Sequence, residues 1–331
     1  MWRELVEQPK VAVVDTSSIS KNYPEYVKNI LREDILQRKP SDNVRIAYEL
    51  ANEIHKGEER KGTEKLDYIT HPLRVYDLVD RSIRKDGVWS DPMRCAALLH
   101  DCIESAGKKF DDAKEKQAAE ARMLQEIKEA FPKNDFGEKV AGLVKELTNP
   151  IEYQNENGEK ISKEEWQVRH VQKISLPARV VKICDQTANL ISDIEEGPDW
   201  DYQKLMNYRA KTSKVVEAAQ ENIVDDDRNR HFSLIHATRT YGMVAAYSQS
   251  VLDELKKLED IRKFTDIKEG ANRPFAITNV HAIDLLATKE AEQQTSALKA
   301  LKEEAAKAFE RIIKMTTRFK GRSEGQEREI W

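Results

Sequence analysis

MRCAALLHDCIESA, residues 93–106, is the stretch that decides the reading. Asp91-Pro92 just before it is a helix start signal, a capping residue followed by proline in the first turn. The helix that follows is built of small and apolar residues, interrupted by His100 and Asp101 and then by Glu104. A charged group among such neighbours is costly to bury unless it is paired or bound to metal. Glu104 lies four residues after His100 and three after Asp101, so a continuous helix puts all three on one face. Two further polar spots stand in apolar surroundings. His71 precedes Pro72 at the start of a helix carrying Leu73, Tyr76, Val79 and Ile83. Asp185 lies on a helix with Val180, Val181, Cys184, Ala188, Ile191 and Ile194, with Asn189 one turn further along the same face.

Outward from these segments the pattern stays helical. Ser41, Asp42 and Asn43 offer caps for a helix through Val44, Ala47, Leu50, Ala51 and Ile54. KGEERKGTEKLD (56–67) reads as a loop, 108–130 as a solvated charged helix, 137–149 as a helix and YQNENGEK (153–160) as an exposed loop. Ser175 is placed to cap the helix of Asp185, which Gly197-Pro198 ends, and another helix spans about 201–222. The acidic run 225–227 marks a boundary. Long helical stretches follow at about 230–263 and 281–319, separated by KEGANRP (268–274). In the second, Leu298, Leu301, Ala305, Ala308, Ile312 and Met315 form a seam for another helix, internal or from a second subunit. The domain reading is an arm at 1–40 with a short β-like run VAVV (11–14), a main domain at 41–224 and a helical extension at 225–331.

Of the 331 residues, 39% are hydrophobic and 34% charged, with 12 Gly and 10 Pro, a mix that favours an all-α protein over a turn-rich β one. The net charge of −4 lacks the basic excess of a nucleic-acid binder. No apolar run approaches a membrane span, so no membrane partner is expected. The N-terminus has no signal-peptide core, and a cytoplasmic location is the default expectation. Cys95, Cys102 and Cys184 show no CxxC spacing, which argues against a disulfide framework or zinc knuckle.

Taken singly, each polar spot has an ordinary explanation: a satisfied core histidine for His100, a helix-surface carboxylate for Asp185. Taken together, two imidazoles and two carboxylates form a borderline-to-hard ligand set suited to Mn²⁺, Fe²⁺, Zn²⁺ or Mg²⁺. Such an ion polarises phosphoryl oxygens and acidifies bound water.

The blocks IHKGEERKG (54–62), DYITHPLRV (67–75), CAALLHDCIESA (95–106), FGEKVAGLVKELTN (136–149), RHVQKIS (169–175), LPARVVKICDQTANL (176–190) and YRAKTSKVV (208–216) resemble, in order and wording, the hydrolase domain of RelA/SpoT proteins. The likeness is stronger to the small stand-alone alarmone hydrolases, the metazoan SpoT homologue among them, and it covers about 44–222. It implies an all-α HD-domain helical bundle with an additional C-terminal helical region. It also implies one divalent ion, usually manganese, and hydrolysis of the 3′-pyrophosphate of guanosine tetra- or pentaphosphate. Carried over by residue, His71, His100, Asp101 and Asp185 match the metal ligands. Glu104 matches the first acid of a Glu-Asp pair that handles the attacking water. Arg60 and Lys61 match a basic pair facing the substrate, Asn189 an asparagine near the nucleotide, and Tyr208 a tyrosine on its sugar or phosphate.

The chain departs from the pattern in three places. Ser105 stands where the family has the second acid, Gln186 replaces a basic residue, and the loop from Arg60 to His71 is longer. A serine cannot act as a carboxylate base, so Ser105 is expected to limit catalysis. Two readings follow: an active nucleotide phosphohydrolase, or a catalytically weakened nucleotide-binding, regulatory protein acting through the C-terminal helices as a homo-oligomer or with a partner.

Overall fold

The computed structural model describes residues 40–60, 66–83, 87–131, 135–195, 202–223, 228–271, 307–308 and 311. The arm at 1–39, Lys61, Gly197-Pro198, the acidic run 225–227 and all of the C-terminal seam except Ala308 lie outside these residues. The helices in chain order are α1 (Asp42–Ile54), α2 (Thr70–Ser82), α3 (Ser90–Leu99), α4 (Cys102–Lys108), α5 (Ala113–Glu129), α6 (Asp135–Leu147), α7 (Lys163–Val171), α8 (Leu176–Glu195), α9 (Tyr202–Ala218) and α10 (Arg228–Ala271). Among the described residues there is no strand. Two isolated antiparallel bridges, Glu59–Asp67 and Gln154–Lys160, close the two loops read from the sequence.

Local signals account for several helix ends. The Ser41 side chain accepts from the Val44 N–H, and Asp112 accepts from the N–H groups of Lys114 and Glu115, so each satisfies first-turn donors that the helix leaves unpaired. Pro72 is the third residue of α2, where no N–H partner is needed. His71 is thus inside the first turn of α2 and not ahead of it. Asp91 does not cap α3. That helix starts at Ser90 with no side-chain cap, and Asp91 accepts instead from Arg94 Nη1 at 2.8 Å. Arg94 Nε reaches back to Asp80 of α2 at 2.8 Å, which ties the two helices. Ser175 does not cap α8 through its oxygen; its Oγ–H donates to Glu146 of α6 at 2.6 Å.

The segment 93–106 is two helices. α3 ends at Leu99, α4 begins at Cys102, and His100 and Asp101 form the turn between them. The last five residues of α3, Cys95 to Leu99, and the His100 that follows are buried, because α1, α2, α6 and α8 surround the helix. α8 is enclosed in the same way by α2, α3, α6, α9 and α10. Val180, Val181, Ile183, Cys184, Ala188, Leu190 and Ile191 bury nearly all its faces, the pattern of a central helix. Each such aliphatic side chain contributes roughly 1.5–3 kcal/mol on burial.

The packing runs past residue 225. α10 lies along α8 and also touches α2, and its Leu234, Ala237, Tyr241, Val244, Ala245, Val251 and Leu252 share the core of the preceding helices. The stretch read as 230–263 extends to Ala271, through the start of the expected separator. Two devices lock the far end. Arg179, buried on α8, donates through Nε to the Ile174 carbonyl at 3.1 Å, through Nη1 to those of Ala219 and Glu221 at 3.2 and 2.6 Å, and through Nη2 to that of Gln172. It fastens the corner before α8 to the end of α9. At Gly137 of α6 the Lys128 carbonyl stands 2.2 Å from where a Cβ would be, so only glycine lets α5 and α6 approach this closely.

Candidate metal centre

Three structural pieces converge. The first turn of α2 presents His71, the turn between α3 and α4 presents His100 and Asp101, and the middle of α8 presents Asp185. His71 Nε2 lies 3.2 Å from His100 Nε2, 3.2 Å from Asp185 Oδ1 and 3.8 Å from Asp101 Oδ2. His100 Nε2 lies 3.3 Å from Asp101 Oδ2 and 3.7 Å from Asp185 Oδ1. Donor atoms about 2.1 Å from a shared centre stand about 3.0 Å apart at right angles and about 3.4 Å apart in a tetrahedron. The His71–His100, His71–Asp185 and His100–Asp101 distances match those edges, the other two are a few tenths of an ångström longer, and the cluster of His71, His100 and Asp185 is buried.

His100 and Asp101, both with right-handed helical backbone, form the turn between α3 and α4. His100 Nδ1 donates to the Ala97 carbonyl at 2.9 Å, which aims Nε2 into the cluster. Asp101 is the N-cap residue of α4, yet its side chain caps nothing. Its Oδ2 accepts instead from the Tyr68 hydroxyl at 2.6 Å. On α8, Asp185 Oδ2 accepts from Lys182 Nζ at 2.9 Å and Gln186 Nε2 at 3.1 Å, while Oδ1 accepts from Asn189 Nδ2 at 2.7 Å. His71 Nδ1 is buried without a hydrogen-bond partner.

The electrostatics show which charge the cluster wants. Burial lowers His71 to about 4, with the Arg60 guanidinium adding to the effect. Burial also opposes the charged form of His100, but Asp101, Asp185 and the Ala97 carbonyl outweigh it and push the ring up to about 9. Burial would raise both carboxylates. For Asp101 the two histidines and Tyr68 reverse this, and for Asp185 the reversal comes from Lys182 and both histidines, so both stay well below the usual range. Two ionised carboxylates therefore draw positive charge to the point where the imidazole nitrogens meet. The donor set, its spacing and its charge all fit a divalent cation.

The remaining expected site residues divide. Arg60 is at the site: its guanidinium stands 5.7 Å over the Tyr68 ring, and its charge reaches His71 and Tyr208. Tyr208 is half-buried on α9; its hydroxyl is raised first by burial and then by Asp193 and Asp185. Asn189 braces Asp185 through the bond already given. Gln186 likewise serves Asp185. Glu104 stands in the first turn of α4. Its Oε1 accepts from the backbone N–H and side-chain amide of Asn149 at 2.9 and 2.7 Å. Ser105 is fully buried and turned away from the four donors, with its Oγ–H donated to Glu58 Oε2 at 3.1 Å.

Four residues at or near the site were missed. Lys182 sits three residues before Asp185 on the same helix, a spacing that could have revealed it. Tyr68 is held by the paired backbone of 58–60 and 66–68, with the Tyr68 N–H on the Glu58 carbonyl at 2.8 Å and the Arg60 N–H on the Leu66 carbonyl at 2.7 Å. His55 and Glu58 flank Gly57, whose φ of +78° the turn after α1 requires. Their side chains meet at 2.9 Å.

Residues 68–190 match the family model for the HD domain, and the candidate metal cluster of His71, His100 and Asp185 lies within that span. Among known proteins it is similar to guanosine-3′,5′-bis(diphosphate) 3′-pyrophosphohydrolases. It is 27% identical to the one from Xenopus tropicalis over 172 residues, covering 52% of this chain and 81% of that protein. It is 24% identical to the Drosophila melanogaster protein over 193 residues (57% and 89%) and 25% identical to the Homo sapiens protein over 175 residues (53% and 83%). A solved structure described as a metazoan ortholog of SpoT that hydrolyzes ppGpp aligns at 23% identity and a TM-score of 0.41, covering 61% of this chain and 97% of that one.

Proposed function

We propose that this chain removes the 3′-pyrophosphate of guanosine tetra- or pentaphosphate by hydrolysis, with Mn²⁺ held by His71, His100, Asp101 and Asp185. The observation that carries the reading is the convergence of His71, His100 and Asp185 from α2, the α3–α4 turn and α8, with donor atoms 3.2–3.7 Å apart and Asp101 Oδ2 within 3.8 Å of both histidines. The activity printed for the relatives, whose lengths are covered by more than four fifths in the three comparisons given, supplies the substrate. When bound, the ion supplies Lewis-acid polarisation of a phosphoryl oxygen and acidification of a water.

The protein's own groups have distinct tasks in this reading. Arg60 and Lys182 offer positive charge to the polyphosphate, and Lys61 extends the same basic loop. Glu104, oriented by the two donors of Asn149, takes the proton of the attacking water. Tyr208 lines the nucleotide side. Water attacks the phosphorus bonded to the 3′-oxygen, the bond from that phosphorus to the 3′-oxygen breaks, the 3′-oxygen leaves with a proton, and pyrophosphate and guanosine 5′-diphosphate are the products when the tetraphosphate is the substrate. A cytoplasmic location accompanies a soluble nucleotide substrate. The stripe Leu298 to Met315 is the proposed helix-pairing seam for a homo-oligomer; Ala308, its described member, is buried.

The test is pyrophosphate release from guanosine tetraphosphate, GTP and ATP by purified protein with Mn²⁺. Release from the tetraphosphate alone, abolished by EDTA and restored by Mn²⁺, is expected. Equal release from all three, or none from the tetraphosphate, overturns the substrate assignment.

A further inference from the structure

We propose that Glu58, on the loop after α1, is the second acid of this site, a positioning residue that takes over from position 105. The inference rests on the hydrolase reading above. Two side chains converge on one carboxylate oxygen. Ser105 Oγ donates to Glu58 Oε2 at 3.1 Å, and the His55 ring donates to the same oxygen at 2.9 Å through Nδ1. Both partners are closed off from water: Ser105 is 0% exposed and so is the His55 side chain, while Glu58 keeps 27% of its side-chain surface. The corner therefore has two inward donors and one acid that reaches solvent.

The corner is joined to the metal centre. The His55 ring lies 4.8 Å from the Tyr68 ring, and the Tyr68 hydroxyl donates to Asp101 Oδ2 at 2.6 Å. The Tyr68 backbone is fixed to Glu58 itself through its N–H. Burial lowers His55, with the Glu58 carboxylate working in the opposite direction, and the hydrogen bond to Glu58 places a ring proton on Nδ1. The charge on Glu58 thus orients His55, His55 packs Tyr68, and Tyr68 holds a metal ligand.

The geometry also says why residue 105 is a serine. A carboxylate there would meet the Glu58 carboxylate within about 3 Å in a buried corner, where like charges cannot both stay ionised. The two positions accept one acid between them, and in this chain the loop carries it. The same fact reverses the simplest expectation for Ser105: an aspartate placed there harms the protein as long as Glu58 remains.

The experiment compares the full chain with E58Q, S105D and the double variant E58Q/S105D. For each, kcat, KM, Mn²⁺ content and Tm are read, with guanosine tetraphosphate and, separately, with bis(p-nitrophenyl) phosphate. Glutamine keeps the shape and an acceptor, so E58Q tests charge. We expect kcat to fall about tenfold or more in each single variant, with KM and Mn²⁺ content held, and the double variant to recover to within about threefold of the parent. Parent-like kcat in E58Q, an S105D faster than the parent, or a double variant no better than the poorer single overturns the proposal. So does an E58Q whose lost activity follows a lost Tm that S105D does not restore. Turnover of the phosphodiester without the nucleotide overturns the substrate reading while still testing Glu58; a parent inactive on both overturns both.

Discussion

Asp185 and Asp101 both contribute an oxygen to the cluster, but their replacement by asparagine has different consequences for folding. Asp185→Asn removes the charge that faces Lys182 Nζ at 2.9 Å, and the Lys182 side chain is only 13% exposed. Removing one partner of a buried ion pair costs about 3–5 kcal/mol because the other charge is left unpaired. The lower end applies here, since Lys182 keeps some exposure and Glu104 adds a favourable charge nearby. For a body of this size, about 3 kcal/mol corresponds to a Tm drop of roughly 6–12 °C. Asp101→Asn is milder. Its near neighbours are the Tyr68 hydroxyl and His100, and its side chain is 20% exposed. An amide oxygen still accepts from Tyr68, and His100 has the Ala97 carbonyl as a second partner. The metal-free loss should be about 1 kcal/mol. Both variants lose the metal, since each removes a charged ligand. The assay is thermal unfolding in EDTA and again with saturating Mn²⁺, alongside elemental analysis. The parent should gain Tm with Mn²⁺ and the variants should not. Equal Tm losses in EDTA would refute the role assigned to Lys182, and full metal content in either variant would refute the ligand assignment.

Arg179→Met leaves four carbonyls without their shared donor, and should cost about 3 kcal/mol in urea unfolding with Mn²⁺ content unchanged; a loss below about 0.5 kcal/mol would show that water replaces the guanidinium freely. Gly137→Ala forces a Cβ to 2.2 Å from the Lys128 backbone carbonyl, so α5 and α6 must separate, at about 1–3 kcal/mol or more on the same unfolding curve; unchanged stability would mean that α5 is not seated against α6 as described.

Much of this fold was legible because its helices obey local rules. Ser41 caps α1, the apolar spacing of α2 is its buried face, and the all-round apolarity of α8 reflects enclosure by five helices. The proposed ligands stood out because polar residues in apolar context need a reason. What the chain did not reveal locally was the turn at His100-Asp101. Nothing in AALLHDCIES breaks a helix: there is no glycine or proline, and the spacing runs on through it. The turn comes from demands made by distant residues. Tyr68, 33 positions earlier, takes Asp101, and His71 and Asp185 draw in the His100 ring.

Glu104 and Ser105 take their contacts from distant parts of the chain. Ser105 sits one helical turn from Asp101, its N–H on the Asp101 carbonyl at 2.9 Å. With the helix restarted at Cys102, Glu104 faces Asn149, 45 positions later, and Ser105 faces Glu58, 47 positions earlier. Neither partner has a signature in its own neighbourhood. A histidine and an aspartate that are adjacent in sequence cannot both point to one centre from a regular helix, since successive side chains diverge by about 100° around the axis. The turn between α3 and α4 sets His100 Nε2 3.3 Å from Asp101 Oδ2, while the helical turn that follows carries an acid to Asn149 and a hydroxyl to Glu58. The proposed ligand pair and the proposed second acid thus both depend on this one short stretch of chain.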